Sequence, residues 1–189
     1  MKTAVLNPLV PRNPSQYVSS WTLRDGTSVT IRPIRREDEP LMVKFHESLS
    51  DRTVYMRYFC SMSFAARTSH ERLVRIWHSY SETELVLVAE HKDPKTGERH
   101  ILGAGRLNEL QVDGEAEVAV VVSDQYQHKG LGTELVRQLI KVARDEKLRR
   151  LVAEMLYDNL AIQNTLRKLG FRLRLVPDDS VSVQAVLEL

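Results

Sequence analysis

The chain has 189 residues, of which 42% are hydrophobic and 28% charged, which is typical of one soluble globular domain with its own core. Its formal net charge of +2 argues against nucleic-acid binding, because proteins that bind nucleic acids concentrate basic residues on one face. No apolar run approaches the roughly 20 residues of a membrane span and no signal peptide is visible, so we expect a cytoplasmic protein without a membrane partner.

Hydrophobic periodicity divides the chain into elements. Residues 1–20 contain several prolines and lack periodicity, which predicts an N-terminal extension before a domain over residues 21–189. The predicted helices are one with Pro40 in its first turn and those over residues 52–59, 69–80, 131–146 and 159–169. The predicted strands cover residues 21–23, 27–34, 84–91, 100–107, 117–122, 150–157, 171–176 and 181–187. This order predicts an α/β fold of the α+β type, with helices on both sides of a mixed sheet.

Cysteine and histidine usage predicts no metal site. Cys60 is the only cysteine, so it can form neither an internal disulfide nor a thiolate metal site alone, and we expect a small buried residue. The six histidines lack metal-ligand spacing, and His128 is expected to face solvent. Basic residues between positions 137 and 150 follow the exposed side of one predicted helix, so they do not indicate a nucleic-acid site.

The turn after the valine-rich strand over residues 117–122 is the most informative segment. There Gln127-His128-Lys129-Gly130-Leu131-Gly132 leads directly into a helix. Such a junction leaves backbone N–H groups without internal partners, and the helix dipole adds about half a positive charge at the same point. Its glycines permit positive φ and close approach of a ligand. The segment therefore predicts an anion site made of backbone, and a pyrophosphate fits it well.

Gly-x-Gly alone is a weak signal, but its context makes it more specific. The fingerprints of nucleoside-triphosphate and dinucleotide sites are both missing. Gln-x-x-Gly-x-Gly, with Asn159 at the head of a later helix, resembles the CoA-pyrophosphate motif of the GNAT superfamily of acyl-CoA-dependent N-acyltransferases. Further segments look like the catalytic domain of Pat-type bacterial protein lysine acetyltransferases: Asp25-Gly26 with Ile31-Arg32-Pro33-Ile34, Phe45-His46-x-Ser48-Leu49-Ser50, and Ala116 to Val122.

The resemblance covers residues 21–189 and implies a mostly antiparallel central sheet with a splayed strand pair that holds acetyl-CoA. Backbone amides of the glycine turn and the Thr133 hydroxyl would hold the pyrophosphate, and the valine-rich strand would pair with the pantetheine arm as an added strand. Asn159 would bind that arm from the other side, or cap its own helix. The implied CoA-binding residues are Val120, Val121, Val122, Gln127, His128, Lys129, Gly130, Leu131, Gly132, Thr133 and Asn159.

The chemistry needs a general base, because a lysine amine is protonated at neutral pH and its deprotonation costs roughly 4–5 kcal/mol. The resemblance implies that Glu117 is this base, directly or through a water. From spacing alone, Glu117 is more typical of a solvated carboxylate at a strand end. Neighbouring acids over residues 109–115 are expected to raise its pKa and so improve it as a base.

The leaving thiolate has no assigned proton donor. Leu166 stands where many GNAT enzymes carry a tyrosine, and Tyr157 is expected to be a half-buried packing residue. A thiol with a pKa of about 8.5 leaves tolerably well without an acid, so direct transfer in a ternary complex suffices. A covalent route through Cys60 is not expected, because no basic residue is tied to it.

The expected function is therefore acetyl transfer from acetyl-CoA to lysines of proteins, and the Pat resemblance implies acyl-CoA synthetases among the acceptors. Two alternatives stay open. One is a GNAT enzyme that acts on a small-molecule amine. The other is a CoA-binding regulatory module without catalysis, for which Leu166 is the only indication.

Overall fold

The computed structural model describes residues 14–73, 83–176 and 179–189. Its strands are β1 (Ser19–Thr22), β2 (Ser28–Pro33), β3 (Glu84–Lys92), β4 (Arg99–Glu109), β5 (Glu115–Val122), β6 (Arg150–Leu156), β7 (Arg172–Val176) and β8 (Asp179–Glu188). The α-helices that lie wholly within the described part are α1 (Glu39–Glu47), α2 (Asp51–Tyr58), α3 (Phe64–Arg67), α4 (Leu131–Asp145) and α5 (Leu160–Lys168). Residues 1–13 of the predicted extension over 1–20 and residues 74–80 of the predicted helix over 69–80 lie outside the described residues.

All the strands join one eight-stranded sheet in the order β1-β2-β3-β4-β5-β6-β8-β7. Only the β5–β6 pair is parallel, and every other neighbouring pair is antiparallel. The mixed sheet with helices on both sides is therefore confirmed. Sequence analysis missed α3, which is too short to produce a helical period of its own.

The two faces of the sheet carry separate cores. Helices α4 and α5 cover one face, and α1 and α2 pack on the other. The predicted apolar stripe of α4 is buried as expected. Glycines in β4 let α4 approach closely, since a Cβ at Gly105 would lie 3.0 Å from Leu139 Cδ1 and one at Gly103 would lie 3.1 Å from Leu135 Cδ1. Each fully buried leucine contributes roughly 1.5–3 kcal/mol.

A buried charge network joins β2 to the segment before α1. Arg32 is 3% exposed and donates to both carboxylate oxygens of Asp38, which is 0% exposed, at 2.7 Å each. Glu90 of β3 accepts from Arg32 and, at 2.8 and 2.9 Å, from Arg99 of β4. Hydrogen bonds from Arg99 and Arg32 lower the pKa of Glu90 to about 2, although burial of the carboxylate acts in the opposite direction. The network fixes the position of α1 on the sheet.

His46 of α1 is buried among cations. It is 1% exposed, and neither ring nitrogen has a hydrogen-bond partner among the described residues. Burial, together with Arg72 and Arg67, lowers its pKa to about 4. His46 is therefore neutral in the folded protein at neutral pH.

This buried histidine should make the domain sensitive to acid. An unfolded histidine has a pKa near 6.5, so below that pH the unfolded chain binds a proton that the folded chain excludes. We expect the free energy of unfolding to fall by on the order of 2 to 3 kcal/mol between about pH 6.5 and pH 4, at about 1.4 kcal/mol per pKa unit. Urea unfolding across this range measures the loss. A His46→Phe variant should lose this pH dependence. A variant of the half-buried His100, His100→Gln, should keep it, because the His100 side chain is 40% exposed. Equal slopes in all three proteins would contradict the prediction.

The prediction that Cys60 is buried is wrong. Cys60 is exposed, not buried, because Phe59 ends α2 in the left-handed conformation and turns the chain away from the core. Leu175 of β7 is 61% exposed, because β7 is an edge strand that is covered only in part. Within the described ranges, no helix has the length and apolar character needed to span a bilayer.

Candidate active site

The parallel pair β5–β6 separates partway along its length. Its strands pair only in the rows Glu115–Arg150, Ala116–Leu151 and Glu117–Val152. Beyond the last row, residues 118–122 of β5 and 153–156 of β6 have no partner across the gap between them, which we call the wedge. The splayed strand pair that the sequence resemblance implied is therefore present.

The backbone of β5 offers free polar groups to the wedge. Ser123 N–H donates to the Leu102 carbonyl at 2.9 Å, which continues the β4–β5 ladder. In an antiparallel ladder alternate residues turn both polar groups to the same neighbour, so Val121 faces β4 while Val120 and Val122 face the wedge. The Val122 carbonyl accepts a hydrogen bond of 3.1 Å from Gln127 Nε2. Of the three predicted valines, Val120 thus offers both groups and Val122 its N–H, and Val121 offers neither.

The glycine turn closes the open end of the wedge. Gly130 precedes α4 with a φ of 93°, and a Cβ there would lie 3.0 Å from Trp21 Cη2, so both conformation and space require glycine. His128 also has positive φ and is exposed, as predicted. Among the described residues, none accepts a hydrogen bond from the backbone N–H groups of residues 128–133. Free N–H groups at a helix N-terminus, together with the helix dipole, make this turn a candidate anion site.

Three of the predicted ligands in this turn contribute in different ways. The Leu131 side chain is 1% exposed and packs in the core, so only its backbone faces the turn. A Cβ at Gly132 would lie 3.7 Å from Val122 Cγ2, which is an ordinary contact. Thr133, on the first turn of α4, is half-buried. The main chain therefore supplies most of the anion site.

Side chains tie the turn to α2. Gln127 Nε2 donates to Thr53 Oγ1 at 3.1 Å, and Thr53 Oγ1 donates to Asp124 at 2.9 Å. Asp124 also accepts from the Ser50 N–H and hydroxyl, at 2.9 and 2.6 Å. Although burial opposes it, these hydrogen bonds lower the pKa of Asp124. Sequence analysis missed Asp124 and Thr53, because their partners lie more than 70 positions apart in the chain.

Lys129 is held at the edge of the turn. Its Nζ lies 2.8 Å from Asp25 Oδ2 and 4.9 Å from the centre of the Tyr126 ring. A hydrogen bond from Lys129 and backbone hydrogen bonding at Thr27 lower the pKa of Asp25 to about 2. The Lys129 charge is thus shared with the β1–β2 hairpin, which reduces the charge it can offer to a phosphate.

Across the wedge, Asn159 caps α5, as one of its two predicted roles requires. Its Oδ1 accepts from the Ile162 N–H at 3.5 Å. Leu166 is 1% exposed within the core and contributes no polar group. Tyr157 is 59% exposed just beyond β6, so the prediction of a half-buried packing residue is wrong. Tyr157 lies one residue past the end of β6, where its backbone N–H donates to the Val181 carbonyl at 2.8 Å while its side chain extends into solvent.

Glu117 occupies the last paired row before the wedge opens. Its neighbours Ala116 and Val118 belong to the core beneath α4, so by alternation Glu117 points to the opposite face, where α2 packs on β5 and β6. Its side chain is 34% exposed, and Arg106 Nη2 lies 3.4 Å from Glu117 Oε2. Arg106 Nε lies 3.8 Å from a Glu84 carboxylate oxygen. Glu117 is therefore a half-buried carboxylate at the apex of the wedge and not a solvated strand end.

The neighbouring acids are engaged elsewhere. Glu115 pairs with Arg150 at 2.7 Å, and Asp113 with Arg149 at 3.5 Å. Burial and Asp113 raise the pKa of Glu109. The charged group that contacts Glu117 is thus a guanidinium and not one of the acids that sequence analysis considered.

Around Glu117, α2 contributes aromatic and cationic groups. The Arg57 guanidinium lies 5.0 Å from the centre of the Tyr58 ring, and the Arg72 guanidinium lies 4.6 Å from it. Burial lowers the pKa of Arg57, while Tyr58 and Glu117 oppose this shift. Within the described ranges, no three His, Cys, Asp or Glu side chains converge as metal ligands would. The candidate site thus combines free N–H groups at the turn, unpaired backbone of β5 in the wedge, and the Glu117 carboxylate at its apex.

This combination of fold and wedge is that of an N-acyltransferase. Residues 28–172 match the model of the acetyltransferase (GNAT) domain. The chain belongs to the GNAT acetyltransferase family, and the resemblance read from its sequence is confirmed.

Known proteins align with most of the length of this chain. An acetyltransferase of Pseudomonas aeruginosa is 33% identical over 162 residues, which are 86% of this chain and 84% of that protein. The GNAT domain of S. lividans PAT has a TM-score of 0.78 at 25% identity and covers 94% of this chain and 100% of its own. The structure of yncA from Salmonella typhimurium with acetyl-CoA shares the fold, with a TM-score of 0.60 at 20% identity over 85% of this chain and 94% of that one.

Proposed function

We propose that this protein transfers the acetyl group of acetyl-CoA to the ε-amine of a lysine in a protein substrate, by direct attack within a ternary complex. The observation that carries the proposal is the position of Glu117 in the last paired row, where the unpaired backbone of β5 ends. A protein acceptor is further supported by the likeness to the GNAT domain of S. lividans PAT. The proposal assigns the protein to the cytoplasm and requires no metal, nucleic acid or membrane.

The residues of the wedge and turn fit acetyl-CoA as the donor. The free N–H groups of residues 128–133 would hold the pyrophosphate, and the wedge-facing groups of Val120 and Val122 would pair with the pantetheine arm. Asn159 retains its side-chain amide for the same arm while its Oδ1 caps α5. The donor supplies the thioester carbon that the amine attacks.

Glu117 would accept the proton of the acceptor ammonium, directly or through one water. Arg106 beside it holds the carboxylate in place at the apex. The departing thiolate needs no acid, because its basicity is modest. The reaction therefore proceeds with one general base and no covalent enzyme intermediate, and acyl-CoA synthetases are the acceptors that the Pat likeness favours.

Thiol release from acetyl-CoA, measured with a panel of proteins and small amines, tests this proposal. The protein panel includes acyl-CoA synthetases, and the small-amine panel includes polyamines and amino acids. We expect thiol release with one or more proteins, and mass spectrometry should locate the acetyl group on a lysine. Turnover with small amines alone would overturn the protein-acceptor proposal, and no turnover with saturable CoA binding would favour a binding module.

A further inference from the structure

A groove of about 370 Å³ lies beside Glu117 on the same face of the sheet. Helices α1 and α2 pack on β4, β5 and β6, whereas the groove is formed by the outer side chains of β6, β8 and β7. We call it the arginine groove and define it by Val152, Val186, Arg172 and Arg174. Both of these arginines are exposed, and both valines are half-buried.

The strand register aligns the groove with the proposed base. Glu117 pairs with Val152, Val152 with Val186, and Val186 with Arg172. Residues paired across a sheet point to the same face, so these four side chains form one row. With strands about 4.8 Å apart, Arg172 stands about 14 Å from Glu117 at the backbone. Two valine side chains therefore form an apolar surface between the carboxylate and the guanidinium.

The charges at the far end of this row are uncompensated. Arg150, which also borders the groove, is neutralised by Glu115 at 2.7 Å and Glu188 at 2.9 Å. Arg174 instead donates to the neutral amide oxygen of Gln184, at 2.9 and 2.5 Å. Within the part of the chain that the structure describes, no side chain forms an ion pair or hydrogen bond with that of Arg172. Two guanidinium groups are thus available for an anionic ligand.

We propose that the arginine groove binds an extended acidic segment of the acceptor protein that flanks the acetylated lysine. With the lysine at Glu117, an extended chain of about 3.4 Å per residue reaches Arg172 about four residues away. An aspartate or glutamate at that position would pair with Arg172 and Arg174, since guanidinium groups bind carboxylates in a two-pronged geometry. This inference rests on the proposed function, because it assumes a lysine within a polypeptide.

The test measures kcat/KM for peptides that carry one lysine and one glutamate, with the glutamate moved from six positions before to six positions after the lysine. The wild-type protein should favour a glutamate about four positions away, on one side, by about three- to tenfold over glutamine. This preference should weaken as ionic strength rises, because exposed charges are screened by salt.

Charge variants locate the preference in the groove. The double variant Arg172→Gln with Arg174→Gln should abolish the preference for glutamate. The double variant Arg172→Glu with Arg174→Glu should reverse it, so that a peptide with arginine at that position is favoured. Arg144→Gln, on the exposed side of α4 away from the groove, should leave the preference unchanged. For each variant the preference is the ratio of kcat/KM for the glutamate peptide to that for the matched glutamine peptide, so a general loss of activity does not count as a loss of preference.

The outcomes separate this inference from the proposed function. Peptide acetylation without a positional preference, or with a preference unaffected by the arginine variants, would overturn the groove and leave the protein-lysine function in place. Acetylation of small amines but of no peptide or protein would overturn both. A change of sedimentation mass in the arginine variants, without a change in peptide preference, would identify the groove as a self-association surface and overturn the inference.

Discussion

Replacing Glu117 with glutamine is expected to lower kcat with acetyl-CoA and a lysine acceptor by about 10² to 10⁴-fold, the usual contribution of a general base. The amide has nearly the same size but cannot accept the ammonium proton. Steady-state thiol release measures the effect. The loss should shrink as the pH approaches 10, because more of the lysine amine is then neutral without help from a base.

Two comparisons show whether the effect is chemical. Calorimetry should give the same CoA affinity for Glu117→Gln and wild type, since the turn and the wedge-facing backbone of β5 are untouched. Glu154→Gln, which alters an exposed carboxylate on the same face of neighbouring β6, should retain full activity. Wild-type turnover in Glu117→Gln would show that another group is the base, and equal losses in both variants would indicate a general effect of charge.

Replacing Asp38 with asparagine should lower the free energy of unfolding by about 3 to 5 kcal/mol, as expected when one partner of a buried ion pair is removed. Asp38 is 0% exposed and receives both Arg32 hydrogen bonds at 2.7 Å, so the substitution leaves a guanidinium that is 3% exposed without its main counter-charge. Urea unfolding with an unchanged m-value measures this loss.

The exposed ion pair between Lys44 and Glu98, at 2.9 Å, supplies the matched control. Glu98→Gln should leave the free energy of unfolding almost unchanged, because both side chains are solvated and the pair is screened. If Asp38→Asn cost no more than Glu98→Gln, the network around Arg32 would contribute little to stability, and Glu90 alone would suffice to neutralise Arg32.

Local motifs predicted the geometry of the glycine turn and of the Asn159 cap, because each depends on one short segment. The positive φ of Gly130, the exposed His128 and the cap at Asn159 all follow from residue types at fixed spacing. The hairpins and α4 were predicted for the same reason, since their periodicity is local. The fold could therefore be predicted almost entirely, apart from α3 and the ends of the strands.

Contacts between residues that lie far apart in the chain could not be predicted from the spacing of residues within one segment. The point at which β5 and β6 separate depends on how two sheet halves pack, and no pattern within either strand marks it. The hydrogen bonds that join Asp124 to Thr53 connect side chains 71 positions apart. The predicted burial of Cys60 and Tyr157 was wrong, because hydrophobicity alone does not tell which neighbours cover a side chain.

The row at Glu117 also sets a length requirement for the donor. Val122, beside the glycine turn, lies five positions beyond Glu117 along the extended strand, which corresponds to about 16 Å. A molecule anchored by its anionic group at the turn must therefore carry an arm of about that reach to bring its reactive carbon to the carboxylate. Under the proposed function, thioesters on shorter arms would be bound but not consumed, and the splayed strands would select donors by length as well as by charge.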